Sequence, residues 1–151
     1  MEIVMNILIR PALAQDWPAL RRLFLASRRH TFPWLSVEDF RLADLDEQTA
    51  GEALWVAQDA GSELLGFVSL WEADYFIHHL HVAATQHRRG IGKMLLQALP
   101  RWEEQNHQLK CLRRNGNALA FYKACGFAIV GEGEGEEGSY LLLEHTPDAR
   151  R

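Results

Sequence analysis

The chain has 151 residues, enough for one domain with a sizeable core, and residues 1–151 are expected to form a single unit. Hydrophobic residues make 48% and charged residues 24%, the balance of a soluble globular protein. Lys plus Arg number 16 against 20 Asp plus Glu, a formal net charge of −4 that argues against nucleic-acid binding. No apolar run approaches the roughly 18 residues of a membrane span, so no membrane partner is expected. The first ten residues do not read as a signal peptide, and Cys111 and Cys125 make no disulfide framework. A cytoplasmic location is the economical expectation.

Ile3 to Arg10 reads as a first strand ended by Pro11. Asp16 is placed to cap a helix that tolerates Pro18 in its first turn. Trp17, Leu20, Leu23, Phe24 and Ser27 recur at helical spacing and are expected to face a core, with Arg21, Arg22 and Arg28 facing away. Pro33 breaks that helix, and Ser36 followed by Glu38 and Asp39 suggests a short second helix to about Asp46. Ala53 to Gln58 and Leu64 to Trp71 read as strands joined by the turn Asp59-Ala60-Gly61-Ser62, and Tyr75 to Val82 as the next strand. A helical pattern from Ile91 to about Glu104 follows, with Ile91, Leu95, Ala98 and Trp102 on one stripe and Pro100 kinking it or starting its last turn. Leu109 to Leu112 is a short strand, Asn115 to Cys125 a helix. Ala128 to Val130 and Ser139 to Glu144 form a last antiparallel pair, joined by an acidic loop through residues 131–138. Propensity alone supports a mixed α/β or α+β class.

His87-Arg88-Arg89-Gly90-Ile91-Gly92-Lys93 stands between a strand and a helix. Two glycines one residue apart let the main chain turn tightly, and first-turn N–H groups at the positive end of a helix suit phosphate. Arg88, Arg89 and Lys93 add positive charge. A Walker A loop is excluded because Met94 follows Lys93 at the wrong spacing, and a Rossmann fingerprint because Leu95 stands where a third glycine is needed. Downstream, Asn115-Gly116-Asn117-Ala118-Leu119-Ala120-Phe121-Tyr122-Lys123-Ala124-Cys125-Gly126-Phe127 opens and closes the predicted fourth helix.

The glycine segment resembles the Q/R-x-x-G-x-G/A loop of GNAT-superfamily acetyltransferases, with His87 where Gln or Arg is usual. The second segment resembles the N-x-x-A-x-x-F-Y-x-x-x-G-F motif of the same family at every specified position. The resemblance extends over nearly the whole chain. It implies the GNAT fold, a mixed central sheet of about six to seven strands flanked by four helices, and acetyl-CoA as cofactor. It implies direct acetyl transfer to a primary amine of a small molecule or peptide by a monomer or homodimer. Transfer to a protein N-terminus or lysine is the alternative within enzymes; a non-catalytic acyl-CoA-binding module is the alternative outside them. His87, Arg88, Arg89, Gly90, Ile91, Gly92 and Lys93 correspond to the pyrophosphate loop. Leu80, His81 and Val82 correspond to the strand whose main chain holds the acetyl and pantetheine arms. Asn115, Ala118, Phe121 and Tyr122 complete the cofactor wall.

Tyr122 lies on the stripe Ala118, Phe121, Tyr122, Cys125, at i, i+3, i+4 and i+7, and its buried hydroxyl needs a partner. The resemblance implies that this partner is the coenzyme A sulfur; a core tyrosine bonded to backbone is the other reading. His78 falls where some relatives carry a glutamate base, and imidazole is the side chain suited to take a proton near neutrality. Water relayed from Glu72 or Asp74 would serve as well. His79 and His81 share a strand face by period two. They lack a third ligand at any recognisable spacing, so no metal site is expected. His30, Phe32 and Trp34, with the acidic 132–137 segment, correspond to regions that line the acceptor cleft in relatives, and His79 is a further candidate for its wall.

Overall fold

The hairpin turn Asp59–Ser62 forms because the Asp59 carboxylate accepts from the N–H groups of Gly61 and Glu63, both at 2.9 Å. It joins β2 (Ala53–Gln58) to β3 (Leu64–Trp71), which pair antiparallel at the centre of a seven-stranded sheet. The computed structural model describes residues 6–31, 33, 36, 40–86 and 90–147. The remaining strands are β1 (Leu8–Pro11), β4 (Phe76–Val82), β5 (His107–Leu112), β6 (Phe127–Gly135) and β7 (Gly138–His145). Their order is β1-β2-β3-β4-β5-β7-β6, and β4 with β5 is the parallel pair of an otherwise antiparallel sheet. Helices α1 (Trp17–Thr31), α2 (Asp44–Gln48), α3 (Ile91–Gln97) and α4 (Gly116–Ala124) flank it among the described residues, as the resemblance implies. No helix there is long and apolar enough to cross a membrane.

Two clusters divide the core between the faces of the sheet. Leu20 and Phe24 of α1 and Leu45 of α2 pack on Leu54, Val56 and Phe67. Ile91, Leu95 and Leu96 of α3 pack with Val68, Leu70, Ile77, Leu109, Leu141 and Leu143, and α4 leans on the same cluster through Ala118, Phe121 and Tyr122. Each such side chain contributes about 1.5–3 kcal/mol by leaving water. The helical spacing of Leu20, Phe24 and Ser27 therefore does bury one stripe.

The structure corrects several local expectations. Asp16 does not cap α1. Its carboxylate takes a two-pronged bond from Arg10 at 2.8 and 2.9 Å and the Leu13 N–H at 2.7 Å, closing a 3-10 turn over Ala14–Asp16. Arg10 holds that carboxyl below its ordinary range. Arg28 does not face away: its guanidinium lies over the rings of Phe24 and Phe40 and bonds Asp44 at 3.0 Å. The second helix starts at Asp44 and not at Ser36, and residues 37–39 lie outside the described ones. Helix α3 stops at Gln97, because Pro100 has no N–H to continue it and disfavours helical geometry before it. The buried stripe accordingly continues through Leu99, with Ala98 exposed. The Pro100 carbonyl is met by the buried ring of His107 at 3.1 Å.

The acidic stretch is a strand, not a loop. Gly131, Glu132, Gly133 and Glu134 alternate, and β6 carries them to a tight turn at residues 136–137. The glutamates are exposed, and a Cβ on Gly133 would come within 2.5 Å of the Tyr140 hydroxyl. A glycine there lets the ring lie flat on the strand, and the charges suit a sheet edge.

Candidate functional site

Pairing between β4 and β5 consists of Phe76 with Gln108 and Ile77 with Leu109, and there it ends. Both strands continue, to Val82 and Leu112, so they splay apart. From His78 to His81 the edge of β4 turned toward β5 has no ladder partner in it. Unspent main-chain donors and acceptors beside a wedge-shaped opening can hold an amide-bearing ligand or a developing oxyanion. Val82 and Leu80 pack toward α3, within the larger core cluster.

Tyr122 of α4 stands at the same cluster, its ring packed edge-on against Phe121 and Phe127. The side chain is only partly covered. Burial raises its pKa well above the ordinary tyrosine value, with the thiols of Cys111 and Cys125 adding to the effect. Neither thiol is a nucleophile in waiting: burial pushes Cys111 up to about 11, and burial also raises Cys125, against a smaller opposing pull from Lys93.

The glycine loop is described from Gly90 onward; His87, Arg88 and Arg89 lie outside the described residues. Gly90 has φ +79° with open space where a side chain would be, and Lys93 is exposed one turn on. Gly92 is buried, and a Cβ there would meet the Phe121 ring at 2.8 Å, so its missing side chain also serves the contact between α3 and α4. Ile91 is 1% exposed and anchors the helix, which leaves only its main chain for a ligand. The Asn115 side chain accepts from the Ala118 N–H at 3.2 Å through its Oδ1, so it caps α4.

The histidines of β4 separate into two kinds. Ser69 pairs with His79 and Leu70 with Ile77, so His78 is the extra residue of a bulge. His81 is buried against Phe24 and Phe67 and shares a 2.7 Å hydrogen bond between Nδ1 and the Ser27 hydroxyl. Burial and then the Arg28 charge bring its pKa down to about 3. Only its main chain can touch a cofactor. His79 packs on Phe24 and Phe67 as well, and its pKa falls to about 2, from burial first and then the neighbouring His78, His81 and Arg28. It is therefore a neutral imidazole. His78 is instead 41% exposed, with Nδ1 2.6 Å from Oε2 of Glu52, whose own side chain is 7% exposed.

Glu52 was not singled out by sequence reading, and it joins His78 and His79, not the His79 and His81 pair weighed there. Together Glu52, His78 and His79 place three possible ligand atoms within 4.8 Å of one another. The bulge and a separation of 26 residues hid this from any spacing rule. Exposed Trp71 was also missed; its ring covers Gly51, beside Glu52. Of the proposed acceptor wall, His30 is exposed in the last turn of α1, and Phe32 and Trp34 lie outside the described residues. The 132–137 carboxylates belong to the edge strand β6 and the turn after it, three places from β4 in the sheet. A surface depression lined by Arg10, Leu13, Asp16, Gln58 and Glu63 lies at the opposite edge and gathers none of these groups.

A protein-family model described as an acetyltransferase (GNAT) domain matches residues 50–129. The peptidyl-lysine N-acetyltransferase YiaC of Escherichia coli (strain K12) is 35% identical over 129 residues, which cover 82% of this chain and 84% of that protein. The PaiA N-acetyltransferase from Thermoplasma acidophilum, solved in complex with coenzyme A, superimposes with a TM-score of 0.75 at 20% identity, covering 94% of this chain and 99% of that one. YjaB from Escherichia coli, in its apo form, gives 0.74 at 23% identity, over 95% and 100% of the two chains. The last two matches speak for the fold.

Proposed function

The chain belongs to the GNAT acetyltransferases, enzymes that use acetyl-CoA to acetylate an amine, and from its site we propose that the acceptor is the side-chain amine of a peptidyl lysine. The observation that carries this reading is the exposed His78 on its bulge, backed by Glu52, with the exposed Trp71 ring over Gly51, the residue before Glu52. A base at the protein surface can be reached by an amine that another polypeptide presents. An indole face beside it suits the methylene stem and cation of lysine. The 35% identical relative that acts on peptidyl lysine supports the same class.

The residues fit the cofactor. The splayed edge of β4 offers main-chain groups for an amide-bearing arm, and Tyr122 packs on the same core cluster as Leu80 and Val82 of that strand. Gly90 and Lys93 provide open backbone and charge for the pyrophosphate. When bound, acetyl-CoA supplies an activated acetyl thioester. The chain's own part begins at His78. A carboxylate oxygen accepts, so the His78 Nδ1 that faces Glu52 Oε2 is the donor, and Nε2 keeps a lone pair for the amine proton. A main-chain N–H among Leu80, His81 and Val82 meets the oxyanion, at about 3 kcal/mol for one such donor. Tyr122 donates through its Oη–H where negative charge gathers on sulfur.

Release of free thiol from acetyl-CoA tests the acceptor, using a lysine-bearing peptide with a blocked N-terminus, the same peptide with its lysine acetylated, a free N-terminal peptide and spermidine. The lysine-bearing peptide is expected to have the highest kcat/KM. Preference for spermidine or the free N-terminus overturns the lysine reading, and no release with any amine revives the non-catalytic binding module.

A further inference from the structure

The cluster Glu52–His78–His79 has two polar atoms for which the transfer reaction has no use. Glu52 Oε1 and His79 Nε2 are both buried without a hydrogen-bond partner. Buried acceptors are almost always satisfied, and an orphan pair beside one another calls for an occupant. The Glu52 side chain is 7% exposed, so bulk water does not serve it. The bulge at His78 turns two consecutive histidines to one side, their rings 4.0 Å apart, and Glu52 reaches them from the loop before β2.

We propose that Glu52, His78 and His79 form a binding site for a divalent transition-metal ion of the zinc type. Two imidazoles, one carboxylate and a position open to solvent is a donor set that zinc accepts. Imidazole donors favour Zn²⁺, Co²⁺ or Ni²⁺ over Mg²⁺ and Ca²⁺. Ligand atoms on a tetrahedral zinc at 2.0–2.2 Å stand roughly 3.3–3.6 Å apart; the present spread of up to 4.8 Å narrows to that when an ion binds. Glu52 supplies one negative charge, and the nearby Arg28 opposes a cation, so the affinity is that of a reversible site. Occupancy takes up a ring nitrogen of His78, and a dipositive ion lowers the affinity of that ring for a proton. Zinc therefore inhibits acetyl transfer. The inhibition rests on His78 as base; the binding does not.

The test is titration of Co²⁺ into the metal-free full-length protein, followed by its visible absorption and reversed with Zn²⁺. One equivalent is expected to bind, and Glu52→Gln and His79→Ala are each expected to weaken it on the order of 100-fold or more, beyond the loss of a mere outer-shell partner. Circular dichroism checks the fold of both; should His79→Ala unfold, the nearly isosteric Glu52→Gln carries the test alone. Absence of a one-to-one Co²⁺ spectrum, or unchanged affinity in a folded Glu52→Gln, overturns the site. Binding that leaves turnover untouched keeps the site and overturns the inhibition, and with it the role of His78.

Discussion

Tyr122→Phe is expected to lower kcat roughly ten- to a thousandfold, about 1.4 to 4 kcal/mol, with the affinity for acetyl-CoA nearly intact. The substitution removes one oxygen and keeps the ring that packs on Phe121 and Phe127, so stability should barely change. Burial and the neighbouring thiols hold the hydroxyl protonated far above neutral pH, so it acts as a hydrogen-bond donor and does not give up its proton. A thioester sulfur accepts a hydrogen bond poorly; a departing thiolate accepts it well. A donor used mainly in the transition state lowers kcat without raising KM. Steady-state kinetics with calorimetry of cofactor binding separates the outcomes. Wild-type kcat would make Tyr122 a core residue, and weak cofactor binding alone would make it a wall of the pocket.

His78→Ala is expected to cost about 100-fold in kcat, at the low end of what a positioned base contributes. The side chain is exposed and makes its hydrogen bond to Glu52, so its removal should spare the fold. The pH dependence carries the sharper information. In the wild type kcat/KM falls on the acid side as the base takes up a proton, and in His78→Ala that limb should vanish. Glu52→Gln keeps the shape of its side chain and loses the charge that fixes the imidazole donor at Nδ1. An intermediate loss, about tenfold, is expected. An acid limb that persists unchanged in His78→Ala hands the proton to another base or a water relay.

Much of this arrangement is legible in the sequence because it is local. The β2–β3 hairpin follows from alternating residues around an Asp-Ala-Gly-Ser turn, and α4 from Asn115 as cap with Tyr122 on the apolar stripe. What escapes is whatever depends on register or on distant partners. Glu52 meets His78 only because β4 carries one extra residue opposite Ser69 and Leu70, and no spacing encodes a bulge. Arg28 looks like a solvent-facing charge until Phe40 and Asp44 fold back over it. The Gly-Glu alternation of β6 resembles a flexible connection, and its strand character comes from Tyr140 and Leu142 on the partner β7. Gly92 matches a ligand-binding motif by position, but its missing Cβ makes room for a ring of the protein itself.

The transfer chemistry depends on where the cofactor lies, and amide NMR during titration with acetyl-CoA tests that most directly. The predicted result is that shift changes concentrate at Leu80, His81, Gly90, Lys93 and Ala118, around the opening between β4 and β5, and that Tyr122→Phe keeps the pattern. Changes gathered instead around Arg10, Gln58 and Glu63 at the β1 edge, with Leu80 and His81 unmoved, would contradict it.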